Sequence, residues 1–373
     1  MSNTKACNNE WYFGPSVIAL GALSKRLGRP MAWFDRVSSS ASIDALPEKI
    51  SPRDLSALHQ AIQCQLLPGQ WGRFWGKDSF QYAPTVWTLC AAAPTFDEVL
   101  SSGARLSLLD SSAFIFSLQK RLETVSVTIY PIVALAEWQH LMLVQQLALG
   151  FPRLVGNQNL VRSVVLSGRP QTIKQLAACE PSACRELIGA SEVVFDRAIL
   201  ELKNPAASES WEVITRSVIE PLMGLRLKQQ SATYRVSKVL IDHCAAGVPL
   251  DMVSVAVALH TEKSTLRRRL KAEGQSFSRL LAQFRVQEAG LRLLKDDDLA
   301  HISHRLGYQS VISLRRLLKG ARNIAACSHR VPNAPPIEPT CDRLRDTPKL
   351  AYRPARSSSA RAFRWTPHST PSP

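Results

Sequence analysis

The stretch "TEKSTLRRRLKAEG", Thr261 to Gly274, decides how the chain is read. Its only large apolar residues are Leu266 and Leu270, one helical turn apart, which make a single narrow stripe for burial. Arg267, Arg268, Arg269 and Lys271 crowd the rest of the circumference. Core packing does not call for that much positive charge, so the segment predicts a helix held by two leucines and offering cations outward.

Upstream, Gly247 and Pro249 separate a helix ending near Cys244 from one holding Val253, Val255, Ala256 and Leu259. A break at His260–Thr261 leads into the basic helix, and Gly274 closes it. Ser276 can cap a longer helix, "FSRLLAQFRVQEAGLRLLK". Asp296, Asp297 and Asp298 then lie where the positive end of a new helix, about Leu299 to Leu306, would sit. Gly307 and "SVISLRRLLK" follow. Helix, tight break and basic helix thus occur twice, which predicts two helix-turn-helix units in tandem. Such a unit lays its second helix in a DNA major groove. Arginine suits the O6/N7 edge of guanine, and other cations bind phosphate. The candidate DNA-binding residues are Lys263, Ser264, Arg267, Arg268 and Lys271 in the first unit. In the second they are Gln309, Val311, Ser313 and Arg316, with Leu314, Leu317 and Leu318 expected in the core.

At these residues the chain resembles the AraC/XylS family of transcription regulators. The first-unit pattern is matched by Val255, Ala256, Leu259, Thr265, Leu266, Arg268, Leu270, Gly274, Ser276 and Phe277. The linker helix is matched by Arg285, Ala289, Leu293 and Leu294, the last two falling one place late. The second unit is matched by Ile302, Leu306, Gly307, Tyr308, Leu314, Arg316 and Lys319. The resemblance spans about 234–319. Less sharply, the region containing "VVFDRAILEL" looks like the end of the arabinose-binding-like N-terminal domain of one branch. It implies an effector-sensing or dimerising domain, with double-stranded DNA, a small-molecule effector, a second copy of the chain and RNA polymerase as partners. After Lys319 the chain departs from the family pattern: Leu318 stands where a Phe is usual and the closing residues are absent. That departure raises the alternative of a dimerisation or effector-binding protein with a defective second unit.

The rest of the chain bounds these readings. Its 373 residues suggest about two domains, and 45% apolar residues suffice for a sizeable core. A net charge of +16 favours polyanionic partners. No long apolar run predicts a membrane span, and the N-terminus does not read as a secretion signal. The eight cysteines are scattered without a CxxC pair, which fits a reduced, cytoplasmic setting and small buried hydrophobes.

Residues 1–228 read as an α+β domain, mostly helical to about 110. Thr95 is a candidate N-cap, and "SAFIFSLQKRLETVSVTIY" alternates as a hairpin around "KRLE". "VALAEWQHLMLVQQLAL" and "QTIKQLAAC" read as helices, "LVRSVVL" and "SEVVFDRAILEL" as strand-type segments. The all-α domain is placed at 229–319. The Pro-, Ser- and Arg-rich remainder, 320–373, is expected to be disordered.

Catalytic and metal signals are weak. His301 and His304 are spaced for a metal but lack further ligands. No nucleophile signature or phosphate loop occurs, and "GQWGRFWG" is not one. Trp71, Phe74 and Trp75 read as packing aromatics, and the tail arginines Arg353, Arg356, Arg361 and Arg364 as inert. Neither an enzyme nor a cofactor is expected.

Overall fold

A computed structural model describes Tyr12–Phe13, Lys49–Ile50, Cys90, and residues 92–109, 111–133, 143–144, 147–148, 160–167, 183–185, 189–205, 207–293 and 298–328. Strands β1 (Tyr12–Phe13) and β2 (Lys49–Ile50) pair antiparallel. Five further strands form one sheet: β3 (Phe114–Lys120), β4 (Thr124–Pro131), β5 (Val161–Ser167), β6 (Ala183–Arg185) and β7 (Ser191–Asp196), in the order β3-β4-β7-β5-β6. All neighbours run antiparallel except β5 and β6.

The hairpin forms as its alternation predicts, with Phe116 opposite Ile129 and Leu118 opposite Val127. On one face of β4, Val125, Val127 and Ile129 are fully buried together with Val193 and Phe195 of β7. Ser126, Thr128 and Tyr130, on the other face, are buried too. Two of these polar side chains find partners: the Thr128 hydroxyl donates to Glu192 at 3.2 Å, and the Tyr130 hydroxyl to Glu288 at 2.6 Å, while the Ser126 hydroxyl is buried without one.

Helix α1 (Phe96–Leu106) lies against β3 and buries Phe96, Val99 and Leu100. Thr95 caps it by accepting the Glu98 N–H, and Asp97 and Glu98 occupy its first turn, as the sequence predicts. "SEVVFDRAILEL" is only half strand. Asp196 accepts the Ala198 N–H at 2.9 Å and turns Arg197–Glu201 into a 3-10 helix, so the strand reading of "RAILEL" is corrected by a local side-chain cap. The readings of "VALAEWQHLMLVQQLAL", of "QTIKQLAAC" and of most of residues 1–89, Trp71, Phe74 and Trp75 included, fall largely or wholly outside the described residues.

A helical run follows: α2 (Trp211–Ile214), a π turn (Thr215–Ile219) and α3 (Glu220–Lys228). Pro221 has no N–H to continue the ladder, and the wide turn sits just before it. The Trp211 indole N–H donates to Glu98 at 2.8 Å and fastens this run to α1.

Three residues later the all-α part begins: α4 (Ala232–Ala246), α5 (Met252–Ala258), α6 (Lys263–Ala272), α7 (Phe277–Leu293), α8 (Leu299–Arg305) and α9 (Val311–Ser328). Helix α4 packs on α7, and α5 and α6 pack on α4. Leu240, Val255, Leu266, Leu270, Leu280, Phe284, Ile302, Leu306 and Leu314 supply the buried contacts.

The sequence reading ends this part at Lys319, but α9 runs on to Ser328. Ala321, Ala325 and Ala326 favour a helix enough to carry it past Gly320. Beyond Ser328 the basic tail lies outside the described residues. Gly320 is exposed and a Cβ there would meet nothing within 4 Å. Gly320→Ala is therefore expected to stabilise the chain by about 0.5–1 kcal/mol, read as a raised denaturation midpoint.

Candidate nucleic-acid interface

Two helix–break–helix corners carry the site. In the first, Asp251 starts α5 by accepting the N–H groups of Val253 at 2.7 Å and Ser254 at 3.0 Å, and the Ser254 hydroxyl at 2.9 Å. The backbone bond from Ser254, foremost, holds the Asp251 carboxyl below the usual range. Asp251→Ala is expected to cost about 1 kcal/mol at neutral pH. Because the folded pKa is depressed, that contribution is present above the ordinary carboxylate pKa and is lost as pH falls through the folded value. Thermal melts of both chains from pH 7 to pH 3 should converge.

Helix α5 ends on His260, whose φ of 48° lies in the left-handed region. Thr261 N–H reaches back to Ala256 O at 3.0 Å. The second corner repeats the device with Gly307 (φ 71°) and a bond from Tyr308 N–H to Ser303 O at 2.9 Å. Four residues separate α5 from α6 and five separate α8 from α9, so the second corner is one residue longer. The αL turn satisfies the last carbonyls and reverses the chain sharply enough for a second helix to cross the first.

Helix α6 presents what the sequence predicts. Leu266 and Leu270 are 2% and 1% exposed, while Lys263, Ser264, Arg267, Arg268, Arg269 and Lys271 are all exposed. By helical geometry Ser264, Arg268 and Lys271 lie most nearly opposite the leucines, and Arg267 flanks them. Among the described residues no ion pair engages Arg267, Arg268, Arg269 or Lys271, so their charge is available to a ligand.

Behind α6, Glu273 accepts the Ala232 N–H at 2.7 Å, the Thr233 N–H at 2.8 Å and the Thr233 hydroxyl at 2.7 Å. A carboxylate on the positive end of α4 thus locks the rear of α6 to the helix beneath it.

In the second corner Leu314 is fully buried, and Leu317 and Leu318 only half so. Gln309 and Arg316 are exposed. Val311 and Ser313 are half-buried, and the Ser313 hydroxyl lies 3.1 Å from that of Ser310. The face opposite Leu314 holds Ile312, Arg316 and Lys319. Ile312, 60% exposed, was not singled out from the sequence, although its position two residues before Leu314 signals it. Arg285 of α7 stacks over Tyr308, 4.3 Å from the ring centroid. A Cβ on Gly307 would stand 3.3 Å from the same guanidinium, so glycine there suits both the φ and the space.

The linker helix α7 is also fixed on its other side. Gln287 donates to the Pro131 carbonyl at 2.8 Å, and Gln283 to the carbonyls of Pro131 and Ile132 at 3.3 Å. Glu288 accepts from Tyr130 and pairs with Arg292 at 2.6 Å, the three side chains lying deep between β4 and α7. Burial foremost, then the Glu288 charge, pushes the Tyr130 hydroxyl well above its ordinary pKa.

His301 and His304 are both exposed, and among the described residues no group of three or more His, Cys, Asp or Glu side chains could hold a metal. No helix among those residues is long and apolar enough to cross a membrane. Cys90 and Cys244 are both buried, as expected of small hydrophobes.

Residues 255–325 match the helix-turn-helix domain family, a span that covers both corners and reaches into the continued α9. No curated protein matches the chain. Among solved structures, the transcriptional regulator CdpR from Pseudomonas aeruginosa is similar at 17% identity with a TM-score of 0.38, over 83% of this chain and 97% of that one.

Proposed function

We propose that the chain is a sequence-specific DNA-binding transcription regulator of the AraC/XylS type. In this reading α6 and α9 enter successive major grooves on one face of the duplex. Arg267, Arg268 and Gln309 reach base edges, and Lys263, Ser264, Lys271, Ser313 and Arg316 position the backbone, with Val311 against the groove wall. The observation that carries it is α6 itself: two buried leucines, a tight corner before it, and exposed arginines with no ion pair among the described residues. The helix-turn-helix match over the same residues supports it. The sheet-bearing part would bind a small effector or a second copy and bias the two helices, and RNA polymerase would be the downstream partner.

The course of α9 through Gly320 to Ser328 favours this reading over one in which the second unit is undone at Lys319. Selection of bound duplexes from a random pool, followed by footprinting, tests it. A single preferred site with two protected major-groove segments about 34 Å apart is expected. Its affinity should fall steeply with salt as counterions are released. Binding to all duplexes alike would refute it.

A further inference from the structure

An open cleft of about 520 Å³ lies between the sheet and the second corner, lined by Gln119, Lys120, Arg121, Ala245, Arg292, His301 and Arg305. Five of these seven side chains are cationic or can become so. The lining comes from five places: the end of β3, the β3–β4 turn, the end of α4, α7 and α8. Two are already matched by carboxylates, Lys120 by Asp97 and Arg292 by Glu288. Arg121 is exposed and has no ion pair among the described residues. Arg305 gives one N–H to the Cys244 carbonyl at 3.3 Å, while its Nε is buried without a hydrogen-bond partner. His301 stands one turn before Arg305 on α8. A buried guanidinium N–H left unpaired is costly, and the group that would satisfy it is an acceptor, best an anionic one.

We propose that this cleft binds a small oxyanion ligand, a phosphate- or carboxylate-bearing metabolite gripped by Arg121 and Arg305 with His301 at the rim. Arginine's planar fork suits both oxyanions, and the volume is that of an ordinary small-molecule site. A DNA backbone phosphate is the poorer occupant, because Arg305 is only partly exposed and lines a concave cleft, whereas a duplex is convex. The ligand would span the β3–β4 turn and α8. Its binding is measured without DNA, so it does not depend on the function proposed above.

The full chain is titrated with sodium pyrophosphate, with sodium citrate, and with sodium chloride at matched ionic strength, by thermal shift and calorimetry. Saturable binding of pyrophosphate, citrate or both is expected, raising Tm by about 2–4 °C near saturation, with no such shift from chloride. Pyrophosphate alone would name a phosphate ligand, and citrate alone a carboxylate. Arg305→Gln and Arg121→Gln should each weaken Kd about tenfold, the loss of one charge-assisted bond. Arg121 is at the surface, so its variant remains informative if Arg305→Gln fails to fold. Arg216→Gln, elsewhere on the surface, should change nothing. The proposal is overturned if chloride reproduces the shift or if Arg121→Gln binds both anions as tightly as the parent. It is equally overturned if neither anion saturates, and weakened nonspecific duplex binding by Arg121→Gln would then assign the patch to DNA phosphate.

Discussion

Replacing Glu288 with alanine is expected to cost about 3–5 kcal/mol. Glu288 is 4% exposed and answers two largely buried residues, Tyr130 at 3% and Arg292 at 8%. Removing it takes away the carboxylate that faces Arg292 and orphans the Tyr130 hydroxyl. A fall in Tm of roughly 10 °C should follow, at about 2–4 °C per kcal/mol for a chain of this size. Glu288→Gln keeps an acceptor for Tyr130 but not the countercharge, and should fall between parent and alanine variant. The double change Glu288→Leu with Arg292→Leu should recover most of the loss, since an apolar pair replaces a charge pair at little cost. A Tm change under 1 °C for Glu288→Ala would contradict the geometry. Alkaline pH gives a second readout. With its folded pKa raised, Tyr130 contributes stability that is complete below the ordinary tyrosine value of about 10 and is lost as pH rises through the folded one. Tyr130→Phe, lacking the group, should lose less stability above pH 10.

Arg268→Ala should weaken binding to the selected duplex about 10- to 100-fold, as befits roughly 1–3 kcal/mol of base discrimination. Arg267→Ala should follow at the lower end, because it flanks the outward face rather than centring it. Arg269→Ala, on the opposite flank, should change affinity only a few-fold. The pattern across sequences matters as much as the size. A base-reading arginine loses preference at particular positions when removed, and a phosphate-binding one weakens all duplexes alike while lowering the salt slope by about one. Gel-shift titrations of the three variants on matched and mutated sites separate these cases. Equal affinities for parent and Arg268→Ala would remove α6 from the groove.

The helical half was legible because its signals are local. Leu266 and Leu270, the glycines at 247, 274 and 307, and the caps Ser276 and Asp298 each declare themselves within a few residues. The hairpin was legible for the same reason, its alternation being uninterrupted from Phe114 to Lys120 and from Thr124 to Tyr130. Hidden from the sequence were contacts between residues far apart in the chain. Tyr130 alternates with the apolar Val127 and Ile129, yet it is buried as deeply because α7 covers its face. Nothing near Glu273 or Glu288 in the sequence sets them apart; one caps α4 and the other is sealed behind β4. His260 was placed in the break, but nothing in its type announced a left-handed backbone. Lys120, Arg121, Arg292, His301 and Arg305 are scattered over nearly two hundred positions, so no window of sequence could gather them.

The grip of Glu273 on Ala232 and Thr233 has a mechanical corollary. The chain leaves α3 at Lys228 and needs only Gln229, Gln230 and Ser231 before α4 begins. The stern of α6 is moored to that short gangway rather than to a distant part of its own bundle. A swing of α3 would be handed on through those three residues of backbone to the heading of the basic helix, a rudder linkage far shorter than any route through the sheet.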